Sequence, residues 1–227
     1  MNKSVLFAFL LLPILSNGYG KQDSSTWNFS ITPQNIVNNC FRFDLERRLS
    51  NNNWIGIGQQ VYFGNVTETN DSIYGPLSTV NKYGTPHNPD AINGYGLILE
   101  DKIFLHPQYS GYSGFYFNYG ISYSQLNISY QDNTWVSYQQ NGSTYYGYLI
   151  ANGNMKIERK DAFFAFGLTS NRHKSLHLDI TFGGQFQDVT TTYSGFKAGY
   201  RNYDRGIFDF QYDGIYPLIT FQLGYDF

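Results

Sequence analysis

The chain has 227 residues, with 15 lysines and arginines against 17 aspartates and glutamates, a formal net charge of −2. Such near-neutrality leaves no electrostatic footprint for nucleic acid. Aromatic residues make up 19% of the chain, yet mean hydropathy is −0.39, far too low for a bundle of membrane helices.

Residues 1–20 carry the marks of an export signal: Lys3, an apolar run over 5–15 too short to span a bilayer, then small residues. Cleavage after Gly18 and after Gly20 fits equally well. What remains, 21–227, is about one domain's length for a barrel. The single cysteine, Cys40, cannot form an internal disulfide and reads as a small packed residue.

Seven further stretches alternate as strands before the C-terminal one. Residues 26–32 set Trp27, Phe29 and Ile31 against Asn28, Ser30 and Thr32, and Pro33 ends the run. Residues 38–49 put Phe41, Phe43 and Leu45 on one face and Arg42, Asp44, Glu46 and Arg48 on the other. Four charges on one face exclude that face from lipid. A polar turn at 50–53 leads to 54–64, with Ile55, Ile57, Val61 and Phe63 outward and Gly56, Gly58, Gln60 and Tyr62 inward.

Residues 65–92 are rich in Asn, Thr, Gly and Pro and read as a long connection. Alternation resumes over 93–106, with Leu97, Leu99, Ile103 and Leu105 outward and Glu100, Lys102 and His106 inward; Asp101 contradicts the pattern unless a bulge shifts the register. Residues 114–130 form the longest candidate, whose phase flips at Leu126, Ile128 and Tyr130, predicting a bulge or an extension above a membrane. After a polar, Tyr-rich connection at 131–154 come 156–169, with Asp161 inward, and 175–187, with His177 and Asp179 inward. A third long connection, 188–214, precedes the last strand. There Ile219, Phe221, Leu223, Tyr225 and Phe227 alternate with Thr220, Gln222, Gly224 and Asp226.

These eight strands predict an all-β fold, an eight-stranded antiparallel up-and-down transmembrane barrel. Short links fall between strands two and three, four and five, six and seven; long ones fall between three and four, five and six, seven and eight. That parity matches short periplasmic turns and long extracellular loops, with both termini periplasmic. A soluble lipocalin-type barrel is the rival, and it would invert every face.

The ending, apolar at Phe221, Leu223 and Tyr225 and aromatic at Phe227, resembles the terminal strand of bacterial outer-membrane barrels, which the insertion machinery recognises. The runs ITPQNIVNNCFRFDLERRL, NNNWIGIGQQVYF, GFYFNYGISY and LGYDF resemble small outer-membrane β-barrel proteins of the Bacteroidetes, of OmpX/OmpA-like architecture. The resemblance implies a cell outer-membrane location in a Gram-negative bacterium and contact with its lipids. It implies no catalytic residues. Asp71, Ser72 and Ile73 match the loose O-glycosylation pattern of that phylum.

Nine inward residues are the candidate site: Arg42, Asp44, Glu46, Arg48, Glu100, Lys102, Asp161, His177 and Asp179. An eight-stranded interior is just wide enough to be filled by side chains, which favours a charge-paired plug over a solute pathway. His177 and Asp179 could address one metal ion, but no third ligand stands at a motif spacing, so His177 is expected to donate to a lumen carboxylate. No nucleophile motif, phosphate loop or cofactor signature appears, and no cofactor or metal is expected. Tyrosines of the long connections (Tyr74, Tyr83, Tyr138, Tyr145, Tyr146, Tyr148, Tyr193), set among Asn, Ser and Gly, suit contact with a surface glycan or protein. The expected role is non-enzymatic, structural or surface-interacting. A small-solute pore is the alternative, and a lipid A-modifying enzyme ranks below it.

Overall fold

Side chains that alternate in polarity along a strand give a sheet two unlike faces, and closing the sheet on itself puts one face inside and removes the edges. The computed structural model describes residues 26–50, 52–66, 90–105, 114–170, 176–195 and 210–227. The export signal, His106 and the Asp71–Ser72–Ile73 triplet lie outside these. The strands are β1 (Trp27–Ile31), β2 (Cys40–Arg48), β3 (Asn53–Tyr62), the two-residue β4 (Asn65–Val66), β5 (Asp90–Phe104), β6 (Gly114–Gln140), β7 (Ser143–Thr169), β8 (Leu176–Gly195) and β9 (Gly214–Asp226). Every pairing is antiparallel between sequence neighbours, except that β3 pairs β5 and β1 pairs β9. Eight strands therefore close into a ring, with β4 extending the β3 wall along Asp90 and Ala91. The protein is an eight-stranded antiparallel β-barrel.

Call the end bearing the β2–β3 turn the lower end. Over most of the wall, alternation holds as the sequence predicts. Ile57, Leu97, Ile121, Phe166, Phe182 and Ile219 point outward, each about half exposed, while Asp44, Glu46, Glu100, Lys102, His177 and Asp179 are buried inside. Glycines make room for this crowded interior. A Cβ at Gly58 would overlap the Asp44 carboxylate, and one at Gly167 would overlap the Tyr116 ring. At the lower end Trp54 turns inward and packs with Phe104 and Tyr116 as an aromatic floor.

The structure corrects several boundaries. No bulge occurs at Asp101: β5 runs in unbroken register with β3 and β6, Asp101 stands opposite Ile55 and Tyr119, and the Tyr119 hydroxyl donates to its carboxylate at 2.5 Å. The neighbouring phenol satisfies one oxygen of this outward carboxylate. The flip at Leu126 is no bulge either, since β6 pairs continuously with β7 through it. Instead, the two faces exchange chemistry. Leu126, Ile128, Met155 and Ile157 are fully buried within, joined by Cys40, Tyr62, Val66, Ile92, Tyr130 and Phe210. Outward at this height stand Gln125, Asn127, Lys156, Glu158, Thr190 and Thr192. The upper wall is thus built like a water-soluble barrel, apolar inside and polar outside.

Residues 131–154 are strand rather than connection. β6 and β7 pair through Gln140 and Ser143 and turn over Asn141 and Gly142, at φ 52° and 78°. Two positive φ values are what a two-residue hairpin of the twist-matching kind requires, and Asn-Gly supplies them. Pairing with β5 ends at Ser129 and with β8 at Gly153, so among the described residues the hairpin from Tyr130 to Asn152 extends past its neighbouring strands, roughly 33 Å if straight. β8 likewise continues to Gly195, beyond the expected end at Gln187. Between β1 and β2 lies a 3-10 helix, Pro33–Asn38, started by Pro33 and ended by Asn39 in the left-handed region.

Candidate functional site

The inward face of the lower barrel gathers side chains from six strands. Arg42 on β2 aims Nε at both oxygens of Asp44, 3.0 Å each, and Nη2 at Glu100 on β5, 3.3 Å away. Asn118 on β6 donates to the same Glu100 oxygen at 3.1 Å. Lys102 Nζ bonds Glu46 and reaches Asp179 Oδ2 at 3.3 Å and Gln222 Oε1 at 3.2 Å, with the Tyr116 ring centroid 5.3 Å away. Gln222 on β9 donates in turn to Asp44 at 3.0 Å, and Asn28 on β1 donates to Glu46 at 3.0 Å. One network therefore ties β1, β2, β5, β6, β8 and β9 together across the lumen.

The remaining predicted residues fall around it. His177 lies with Nδ1 3.6 Å from Asp226 and Nε2 3.9 Å from Asp179, so two carboxylates flank one imidazole. Asp161 sits higher, accepting from Ser122 at 2.6 Å and standing 3.7 Å from Arg159. Arg48 departs from the expected cluster: it stands at the lower rim, half-buried, where Nε donates to the Ser50 carbonyl at 3.2 Å. Its alternation is correct, but the strand ends there and the turn supplies a nearer acceptor. Phe221, Leu223, Tyr225 and Phe227 all face outward on β9 and are exposed.

Sequence reading missed Asn118, Gln187, Gln222, Asn28 and Arg159. The first four are neutral amides, indistinguishable by type from solvated loop residues. Arg159 sits in the run KIERKD, where both faces carry charge and alternation gives no sign. It donates to Gln187 at 2.8 Å, and Gln187 also accepts from the Tyr216 hydroxyl at 3.0 Å. On the polar outer face above, Lys156 and Glu158 pair at 2.5 Å. Their shared hydrogen bond raises the lysine above its ordinary range and lowers the carboxyl below its own. The tyrosines of the projecting hairpin stack across its strands, Tyr138 on Tyr145 at 5.7 Å, with Tyr146 71% exposed. Tyr193, expected on a surface loop, instead packs against the upper apolar cluster. Tyr74 and Tyr83 lie outside the described residues, as does the side chain of Tyr148.

What these parts define is a closed β-barrel whose lumen is crossed by a charge-paired network between an aromatic floor and an apolar ceiling. Among solved structures the chain is similar to the crystal structure of CarO from Acinetobacter baumannii, at 10% identity and a TM-score of 0.41, over 91% of this chain and 100% of that one. No protein-family profile matches the sequence, and no curated protein matches it.

Proposed function

We propose that the protein is an outer-membrane barrel that does not conduct solutes and that presents the β6–β7 hairpin at the cell surface as an interaction element, a non-enzymatic role. The membrane reading rests on the outward face. Isoleucines, leucines and phenylalanines stand side by side on all the ring strands, with aromatics at both margins: Tyr95 and Tyr123 above, Trp27, Tyr225 and Phe227 below. A lipocalin-type barrel would bury that face. The apolar–polar exchange at Leu126 supports the orientation, because the wall turns polar outside where the bilayer would end. In this reading the hairpin and the β8–β9 connection are extracellular, and Phe221, Leu223, Tyr225 and Phe227 form the signal read by the barrel-insertion machinery. The lineage reading, a Bacteroidetes barrel, is part of the same proposal.

The observation that carries the closed state is the Lys102 cluster, which joins side chains from opposite walls at mid-lumen. The hairpin supplies rigid aromatics among Asn, Ser and Gly, suited to a glycan or protein partner. Conductance across a planar bilayer tests the first claim: a silent bilayer containing heat-modifiable protein is expected, and stepwise currents would replace it with the pore reading. For the second, binding to surface glycans and proteins is compared with a variant lacking residues 131–152, which should lose binding while keeping the barrel.

A further inference from the structure

Between the charge network and the apolar ceiling lies a cavity of about 370 Å³. Its lining includes Leu218 and Thr220, which face inward on β9, and also Pro217, Ile219 and Phe221, which face outward on the same strand. Successive residues of a strand point to opposite sides of the sheet, and an interruption of the wall would let one space reach both sets.

The interruption is visible in the pairing. β9 pairs with β8 from Gly214 to Tyr225, but with β1 only from Leu223 to Asp226, because β1 ends at Ile31. Above that point the 3-10 helix fills the gap. Among the described residues, its hydrogen bonds to β9 come from one side chain: Gln34 Nε2 donates to the Ile219 carbonyl at 2.7 Å, and the Phe221 N–H donates to Gln34 Oε1 at 2.6 Å. Gln34 thus stands in for a strand, satisfying two backbone groups on an open edge, and Pro217 brings no N–H to that edge. The apolar belt continues across the seam, with Ile36 53% and Val37 70% exposed on the 3-10 helix.

The inner wall has a different character. Arg42 and Arg159 face Glu100 and Asp161 there, two charges of each sign. Unlike Arg42, Arg159 has a buried Nε without a protein hydrogen bond, and Asn118 Oδ1 and Asp161 Oδ1 are buried likewise. Arg159, Asn118 and Asp161 themselves line the cavity, which has the size of a small-ligand pocket.

We propose that this cavity binds a single-chain amphiphile from the membrane, its polar head against Arg159, Asp161 and Asn118 and its acyl chain leaving between β9 and the 3-10 helix past Gln34. Balanced wall charge selects a head without net charge, neutral or zwitterionic. The proposal rests on the membrane reading.

Purified full-length barrel in detergent is titrated with monooleoylglycerol and with oleoyl lysophosphatidylethanolamine, with oleate and oleylamine as charged comparators, and bound lipid is counted by native mass spectrometry. One molecule of a net-neutral lipid per barrel is expected, and preference between the first two separates the neutral source from the zwitterionic one. Leu218→Trp, which fills the cavity, should weaken retention at least tenfold, and Arg159→Gln should weaken it while leaving the acyl path open. A photoreactive acyl chain on wild-type protein should label Gln34, Ile36 or the outward residues of β9. Equal binding of all four amphiphiles, undiminished binding by Leu218→Trp, or labelling spread evenly around the belt would overturn the proposal. A boiled-against-unboiled gel on each sample separates these failures from that of the membrane reading: absence of a folded band in protein soluble without detergent counts against the latter.

Discussion

Trp27 and Phe227 exchange both of their backbone hydrogen bonds, at 3.1 and 2.9 Å, so the last residue of the chain closes the ring against the first strand. Phe227 thus has two separable roles. Its backbone completes the β1–β9 seam, while its side chain, stacked against Tyr225 at 6.4 Å, faces outward.

Deleting Phe227 removes both contributions, whereas Phe227→Ala removes only the ring. If the ring is an insertion signal, Phe227→Ala should refold normally in detergent yet reach the outer membrane in reduced amount. Equal yields in cells for Phe227→Ala and wild type would leave the side chain no part in insertion.

Lys102→Met strands Glu46 and Asp179 inside the barrel without their cation. Breaking a buried pair costs about 3–5 kcal/mol, and urea unfolding in detergent should show a loss of that order. Adding Glu46→Gln removes one of the stranded charges and should restore part of it. A double variant no better than the single would show that the network is not coupled as its geometry implies.

Gly167 lies directly beneath the Tyr116 ring. Gly167→Leu forces that ring out of the aromatic floor, with an expected cost of about 1–3 kcal/mol, the usual range for overpacking. The same substitution at Gly184, where a Cβ meets nothing within 4 Å, should be far milder. The two midpoints in a urea titration give the comparison directly.

Gly142, at φ 78°, turns the projecting hairpin. Gly142→Val should loosen amide exchange from Ser137 to Gly147, since side chains at positive φ destabilise by more than about 0.4–1 kcal/mol. Exchange in β2, β3 and β5 should not change. Loss of the heat-modifiable band in this variant would mean that the hairpin is needed to assemble the barrel.

Much of the wall is legible in the sequence because outward apolar and lumen-facing polar residues alternate with period two, a signal that survives without any knowledge of neighbours. Leu97, Leu99 and Ile103 against Glu100 and Lys102 show it plainly. Legibility fails where the two faces exchange chemistry. Leu126 and Ile128 break phase without breaking the strand, because above that height the apolar side must turn inward. The polar stretch 131–154 reads as a loop by composition, and its Asn141-Gly142 turn does not stand out, because Asn93-Gly94 and Asn152-Gly153 repeat the dipeptide inside strands. The candidate site is half legible: charges such as Arg42 and Asp44 declare their face, but their amide partners Asn118 and Gln222 are fixed only by closure of the ring. Gln34 has no pattern to reveal it. Its bonds to Ile219 and Phe221 join residues far apart in sequence.

In the proposed membrane setting, the exchange of faces near Leu126 gives the barrel a fixed waterline. β6 and β7 exchange the chemistry of their faces with their hydrogen-bond ladder intact, so the change costs no kink. Sinking the barrel deeper would carry Lys156 and Glu158 into hydrocarbon, and raising it would lift Ile121 and Phe164 into water. Either displacement is opposed on β6, β7 and β8 at once. In the proposed membrane setting, depth in the bilayer is therefore written into the strands, which sets how far the tyrosine-bearing hairpin stands off the surface.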